Sequence, residues 1–140
     1  MRNIWHINVH CSASDFDHHD NVQSIYQWHV IENGWSDIGY HYIITKNGDV
    51  HICRPIHRTP ASIKNHNSGG IGIMLTGNYV FSEAQFRSLR ALIRNLQFEY
   101  NISDDNVKGH NEYEGHFNRK CPNFDLKKVL NNTRGVHQTF

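Results

Sequence analysis

The stretch "IWHINVH" alternates two sets of side chains. Trp5, Ile7 and Val9 fall on one face and Ile4, His6, Asn8 and His10 on the other, the period of two that marks a strand, with His10 at its end. The period then lengthens. In "DNVQSIYQWHVIENG", Val22, Ile25, Tyr26 and His29 share a helical face, Asp20 and Gln23 have capping-box spacing, and Gly34 suits the stop. Two β-rich runs flank Asn47-Gly48 in "YHYIITKNGDVHICR", which predicts a hairpin. "GGIGIMLTGN" is apolar between glycines, the pattern of a central strand buried on both faces. The strongest helical periodicity runs from residue 83 to about 100, through Phe86, Leu89, Leu92, Ile93 and Leu96. Ser82 and Gln85 supply a capping box at its start, and Phe81 and Phe86 are placed for a hydrophobic staple. A strand near Val107 then delivers His110, and "FDLKKVL" predicts a short closing helix. These elements describe an α/β fold, a central mixed β-sheet flanked by helices.

Composition narrows the picture. A chain of 140 residues is the size of one compact domain, read here as residues 1–130 followed by a polar tail, 131–140. With 38% hydrophobic and 19% charged residues and a net charge of +1, the chain has neither the bias of a disordered segment nor the charge of a nucleic-acid binder. A monomer without a membrane partner is expected. "MRNIWHINVH" has no apolar run of signal-peptide length, so cytoplasmic synthesis without an export signal is expected. Cys11, Cys53 and Cys121 are odd in number and lack CxxC spacing, which argues against a disulfide framework.

Twelve histidines are the compositional anomaly, and neutral imidazole is the commonest metal ligand. "GHNEYEGHFNRKC" brings His110 and Cys121 into one loop, although their spacing is not that of a zinc finger. At the other end of the chain, "INVHCSAS" presents His10 at a strand end. A catalytic zinc takes three protein ligands drawn from His, Cys and carboxylate and keeps a fourth position open. His10, His110 and Cys121 would supply that set.

The stretches "VHCSAS", "QWHVIENGWSDIGYHYIITKNGDV", "HNSGGIGIMLTGN", "FSEAQFRSLRALI" and "GHNEYEGHFNRKCPNFDLKK" carry a family resemblance over about residues 4 to 128. The chain resembles the zinc-dependent N-acetylmuramoyl-L-alanine amidases of the phage lysozyme and peptidoglycan-recognition-protein type. "GWSDIGYHYII" and "KCPNFDL" are the most specific pieces, since no helix or strand periodicity explains them. The resemblance implies one Zn2+ per monomer on His10, His110 and Cys121, and a catalytic role for Tyr40 of "GYH". It implies bacterial peptidoglycan as substrate, cleavage between N-acetylmuramic acid and L-alanine, and a phage or prophage endolysin acting on the wall after release. A cytoplasmic recycling amidase is the alternative setting. An inactive peptidoglycan-binding module of the same fold is the alternative function, although such modules usually lack the ligand cysteine that this chain keeps.

Two positions depart from the family pattern. Lysine or threonine is common two residues before the ligand cysteine, where this chain has Arg119 with Lys120 next; either is a candidate oxyanion donor. A groove histidine of the family falls, counting back from "IGI", on Ser62, and His57, His66 or Asn67 could compensate. Ser62 and Asn67 are therefore the candidate substrate-binding residues. Glu112 or Asp125 could orient a ligand imidazole from behind. A cysteine hydrolase built on Cys11, with His10 or His41 as base, is disfavoured because neighbouring strand residues point to opposite faces.

Overall fold

The computed structural model describes residues 2–131 of the chain. Its sheet has five strands: β1 (His6–Cys11), β2 (Tyr42–Ile44), β3 (Val50–Ile52), β4 (Gly70–Leu75) and β5 (Val107–Gly109), in the order β3-β2-β4-β1-β5. All neighbours pair in parallel except β2 and β3, the two arms of the hairpin at Asn47-Gly48. Gly48 takes the positive φ of 89° that this turn demands. The sheet is mixed, as the pattern predicts, and β4 stands at its centre.

Both faces of the sheet are covered. On one, Ile7, Val9, Cys11, Ile71, Ile73 and Leu75 pack against the buried stripe of α2 (Glu83–Tyr100) and against Leu126, Val129 and Leu130 of α3 (Leu126–Asn131). On the other, Ile43 and Met74 meet Ile25 of α1 (Val22–Tyr26) and Ile38 of the following loop. This double cover buries both of the alternating faces of β1. Its polar members His6, Asn8 and His10 are as buried as its apolar ones, so each must find a partner inside the protein. The alternation also starts later than expected: Trp5 is 52% exposed, while Ile4 joins the core with Ile7 and Val9.

The first helix differs from its prediction in two ways. Its cap is Asn21, whose side chain accepts from Ser24 N, while the Asp20 carboxylate accepts from Lys46 N and Thr76 Oγ1 and ties the helix start to the sheet. The α-helix is also short, continuing as a π-helical turn over Gln27–Glu32 before Gly34 reverses the chain with a φ of 71°. The closing helix reaches Asn131, one residue into the expected tail; residues 132–140 lie outside the described residues.

At α2 the predicted capping box is present, with Ser82 Oγ accepting from Gln85 N at 3.0 Å and Gln85 Oε1 from Ser82 N at 3.0 Å. The Phe81 and Phe86 rings lie 6.0 Å apart, consistent with the staple. Gln85 has a second task. Its fully buried Nε2 donates to Ile44 O at 3.0 Å and to Thr76 O at 2.9 Å, joining the helix start to the ends of β2 and β4. Gln85→Leu keeps the bulk but takes the Gln85 donor from Thr76 O, leaves Ile44 O only its bond from Thr76 N, and removes the acceptor for Ser82 N, so it should lower the unfolding free energy in urea by about 2–4 kcal/mol. Ser82→Ala, which removes the cap and the bond from Ser82 Oγ to Lys46 O, should cost about 1–2 kcal/mol. Equal losses for the two variants would contradict the larger cost assigned to the sheet contacts of Gln85.

Candidate metal centre and cleft

Val9 and Gly109 share a rung of the parallel β1–β5 ladder. His10 and His110 each stand one residue past that rung, and their rings lie 4.8 Å apart. Cys121 reaches the same point because β5 ends in a glycine: a Cβ on Gly109 would stand 2.7 Å from Pro122 Cδ, so only a bare backbone admits the Cys121–Pro122 segment. Asn111 N donates to Cys121 O at 3.0 Å and closes the loop between the last two candidate ligands. Cys11 N donates to Cys121 Sγ at 3.0 Å, which favours a thiolate there.

The ligand atoms of His10, His110 and Cys121 all lie within 4.8 Å of one another. Zinc bonds of about 2.0–2.3 Å in a tetrahedral arrangement separate neighbouring donors by roughly 3.3–3.8 Å, so the set fits after a contraction of about 1 Å. Protonation favours the same use. Burial first, then the charges of His110 and His116, hold His10 well below the usual imidazole range. Burial, followed by His116 and Arg119, brings His110 down to about 4. Both rings are neutral at physiological pH and carry the lone pair that a metal requires. Cys121 behaves oppositely: its hydrogen bond with the Cys11 thiol, and then burial, push it up. A bound cation reverses that shift, so loading the site releases a proton.

Tyr40 lies two residues before β2, with its ring 5.0 Å from that of His10. Its loop is held on several sides. Gly39 N donates to His29 Nδ1 at 2.9 Å, Ala61 N to Gly39 O at 3.0 Å, and Arg54 Nη1 to Ile38 O at 2.9 Å. A Cβ on Gly39 would collide with Ala61 O, so the close approach of these loops demands glycine. Burial raises the Tyr40 phenol, helped by the charges of Cys121 and Cys11, and keeps it protonated as a hydrogen-bond donor.

These groups line one cleft of about 330 Å³, together with Arg119, Lys120 and Asn123. Ala13, Asn78 and Tyr79 connect it to a larger groove of about 710 Å³ that runs past Asp15, Phe16 and Trp28. Arg119 and Lys120 are both exposed on the cleft rim. The preceding loop is not extended: Tyr113 N, His116 N and Arg119 N bond in turn to His110 O, Tyr113 O and His116 O, forming successive turns. Of the two basic residues, it is Arg119 whose charge acts on His110 and Cys121.

The structure places Ser62 and Asn67 behind the imidazoles. Ser62 Oγ donates to Asn8 Oδ1 at 2.8 Å, and Asn67 Oδ1 takes the amides of Ser62 and Ile63 at 2.9 and 2.8 Å. Glu112 and Asp125 do not orient the ligands. Glu112 Oε2 accepts from Gly109 N at 2.7 Å and Asp125 Oδ1 from Lys128 N at 3.2 Å, each serving local backbone. That work falls to two residues the sequence reading did not assign. Asn8 Oδ1 lies 2.7 Å from His10 Nε2, and His116 Nδ1 lies 3.1 Å from His110 Nε2. The strand period could have identified Asn8, which shares a face with His10; no periodic signal marks His116. His41 is not free to act as a base for Cys11, since it accepts from Gly72 N at 3.1 Å and sets its Nε2 2.7 Å from Arg58 O.

Comparison with known proteins shows the family and the fold. The chain is 35% identical over 130 residues to the endolysin of Escherichia phage T7, covering 87% of this chain and 82% of that protein. It superposes on the N-acetylmuramoyl-L-alanine amidase LysC from Clostridium intestinale with a TM-score of 0.78 at 30% identity, covering 91% of this chain and 83% of the other. The Ph2119 endolysin from a Thermus scotoductus bacteriophage shares the fold at a TM-score of 0.81 and 20% identity, covering 95% and 86% of the two chains. The family model described as N-acetylmuramoyl-L-alanine amidase matches residues 1–124, and the chain belongs to that family.

Proposed function

We propose that this chain is a zinc-dependent peptidoglycan hydrolase that cleaves the amide between N-acetylmuramic acid and the L-alanine of the stem peptide, and that it serves as a phage or prophage endolysin. The observation that carries the reading is the convergence of His10, His110 and Cys121 in a cleft that also holds Tyr40, in a chain of the amidase family. Similarity to phage endolysins supports the setting. Among the described residues no helix is long and apolar enough to cross a membrane. The protein is proposed to act as a monomer.

When bound, zinc supplies a Lewis acid that polarises an amide carbonyl and makes hydroxide available near neutral pH. The protein contributes position and charge. The groove past Ala13, Asn78 and Tyr79 receives the chain of the substrate and sets the scissile lactyl amide beside His10. Tyr40 donates a hydrogen bond to the carbonyl oxygen as negative charge develops there, and its elevated pKa keeps that donor in place. Arg119 stands on the same rim and adds positive charge to the same oxygen. The attacking water gives its oxygen to the carbonyl carbon and a proton to the departing L-alanine nitrogen, so the amide closes as a carboxylic acid and an amine.

The purified protein should carry one zinc per chain, and a chelator should abolish turbidity loss of purified sacculi and lower the melting temperature. An active, metal-free preparation would refute the reading. Cys121→Ser should lose zinc and activity together. Tyr40→Phe should retain zinc and lose turnover by about 10²–10³, the cost of one oxyanion donor; wild-type turnover in Tyr40→Phe would remove the tyrosine from the mechanism.

Arg119→Ala, with zinc content unchanged, should lower turnover by about two orders of magnitude. If Lys120 serves instead, the loss moves to Lys120→Ala. Normal turnover in both variants would leave oxyanion stabilisation to the metal and Tyr40.

A further inference from the structure

The loop that carries Ser62, Lys64, His66 and Asn67 makes an unusual set of contacts with the metal-site loop. His66 Nε2 lies 2.7 Å from Glu114 O, and His116 Nε2 lies 3.0 Å from Lys64 O. Each loop thus offers an imidazole to a carbonyl of the other. The second contact has a chemical consequence. A carbonyl only accepts, so His116 must carry its proton on Nε2, and the neutral ring then presents Nδ1 as an acceptor. That Nδ1 faces His110 Nε2 at 3.1 Å. The proton of His110 is therefore drawn to Nε2, and its lone pair is left on Nδ1.

The other ligand imidazole is set from the same loop. Asn8 Oδ1 lies 2.7 Å from His10 Nε2 and accepts from Ser62 Oγ at 2.8 Å. Asn67 holds the loop in shape by taking the amides of Ser62 and Ile63 on one oxygen. Two hydrogen-bond chains, Ser62–Asn8–His10 and Lys64–His116–His110, run from one loop to the two rings.

We infer that His116 is a positioning residue for the metal: clamped by the carbonyl of Lys64, it accepts the Nε2 proton of His110 and presents that ring's Nδ1 to the ion. The loop over residues 62–67 thereby sets the tautomer and orientation of both ligand histidines. A carboxylate or carbonyl usually backs a metal-bound imidazole. Here a second imidazole does so on one side and an asparagine on the other. This assignment rests on the zinc reading above.

The test is zinc affinity, measured by competition with a chromogenic chelator, for the wild type, His116→Leu and His116→Asn. Loss of an outer partner of a metal ligand typically weakens binding by 10–100-fold, and His116→Leu should fall in that range while still binding one zinc at saturation. Asparagine places Oδ1 one bond from Cγ, where the histidine has Nδ1, so His116→Asn restores the acceptor for His110 but not the contact with Lys64 O. It should bind zinc within about threefold of the wild type, well inside the loss expected for the leucine. A merely structural role, pinning one loop to the other through Lys64, would impair both variants equally, and that result overturns the inference. So does unchanged affinity in His116→Leu, or a metal-free His116→Leu that melts well below metal-free His116→Asn. A wild-type protein that binds no zinc refutes the zinc reading itself, an outcome distinct from zinc bound equally by all three.

Discussion

The parallel pairing of β1 with β5 determines where the two imidazoles meet, because Val9 and Gly109 share a rung and each strand delivers a histidine at the next position. Ligands in open α/β sheets collect at the carboxyl ends of parallel strands, where side chains leave the ladder beside one another. The remaining parts of the site follow from that geometry. Cys121 joins the pair because Gly109 leaves room for Pro122, and Tyr40 joins it because Gly39 lets two loops touch. An alanine at either glycine would close the space that the site needs, although neither residue touches the cleft through a side chain.

Burying a polar strand face creates a debt of hydrogen bonds that shapes the surrounding loops. His6 meets Tyr113 Oη at 2.8 Å and Ser68 O at 3.0 Å, Asn8 meets Ser62 and His10, and His10 turns its remaining nitrogen toward the candidate metal. An unsatisfied buried polar group costs about 1–3 kcal/mol, so these partners are structural requirements as well as functional ones. The same burial depresses the histidines and raises Tyr40, which places neutral ligands beside a permanent donor at one pH. Core packing and the protonation states of the cleft residues thus share a cause.

Much of this was legible in the chain. The Asn47-Gly48 hairpin, the central apolar strand and the Ser82–Gln85 box are local signals, and local signals survive folding. The three candidate ligands were legible because their chemistry narrows the choice, and because "KCPNFDL" and "GWSDIGYHYII" are too irregular to be explained as periodic structure. What was hidden depends on contacts between distant segments. Asp20 carries a capping pattern but bonds instead to Lys46 and Thr76, more than twenty residues away. Glu112 and Asp125 have the right charge for backing an imidazole, yet backbone amides nearer in sequence claim them first. His116 stands out in no pattern, since its role exists only where Lys64 O and His110 come together.

X-ray absorption at the zinc edge of the reconstituted protein tests the central claim most directly, because it reads the ligands themselves and not their consequences. The account predicts two nitrogen scatterers at about 2.0–2.1 Å and one sulfur at about 2.3 Å, with the sulfur shell lost in Cys121→Ser. A zinc surrounded only by nitrogen and oxygen, or a sulfur shell that survives that substitution, would contradict it.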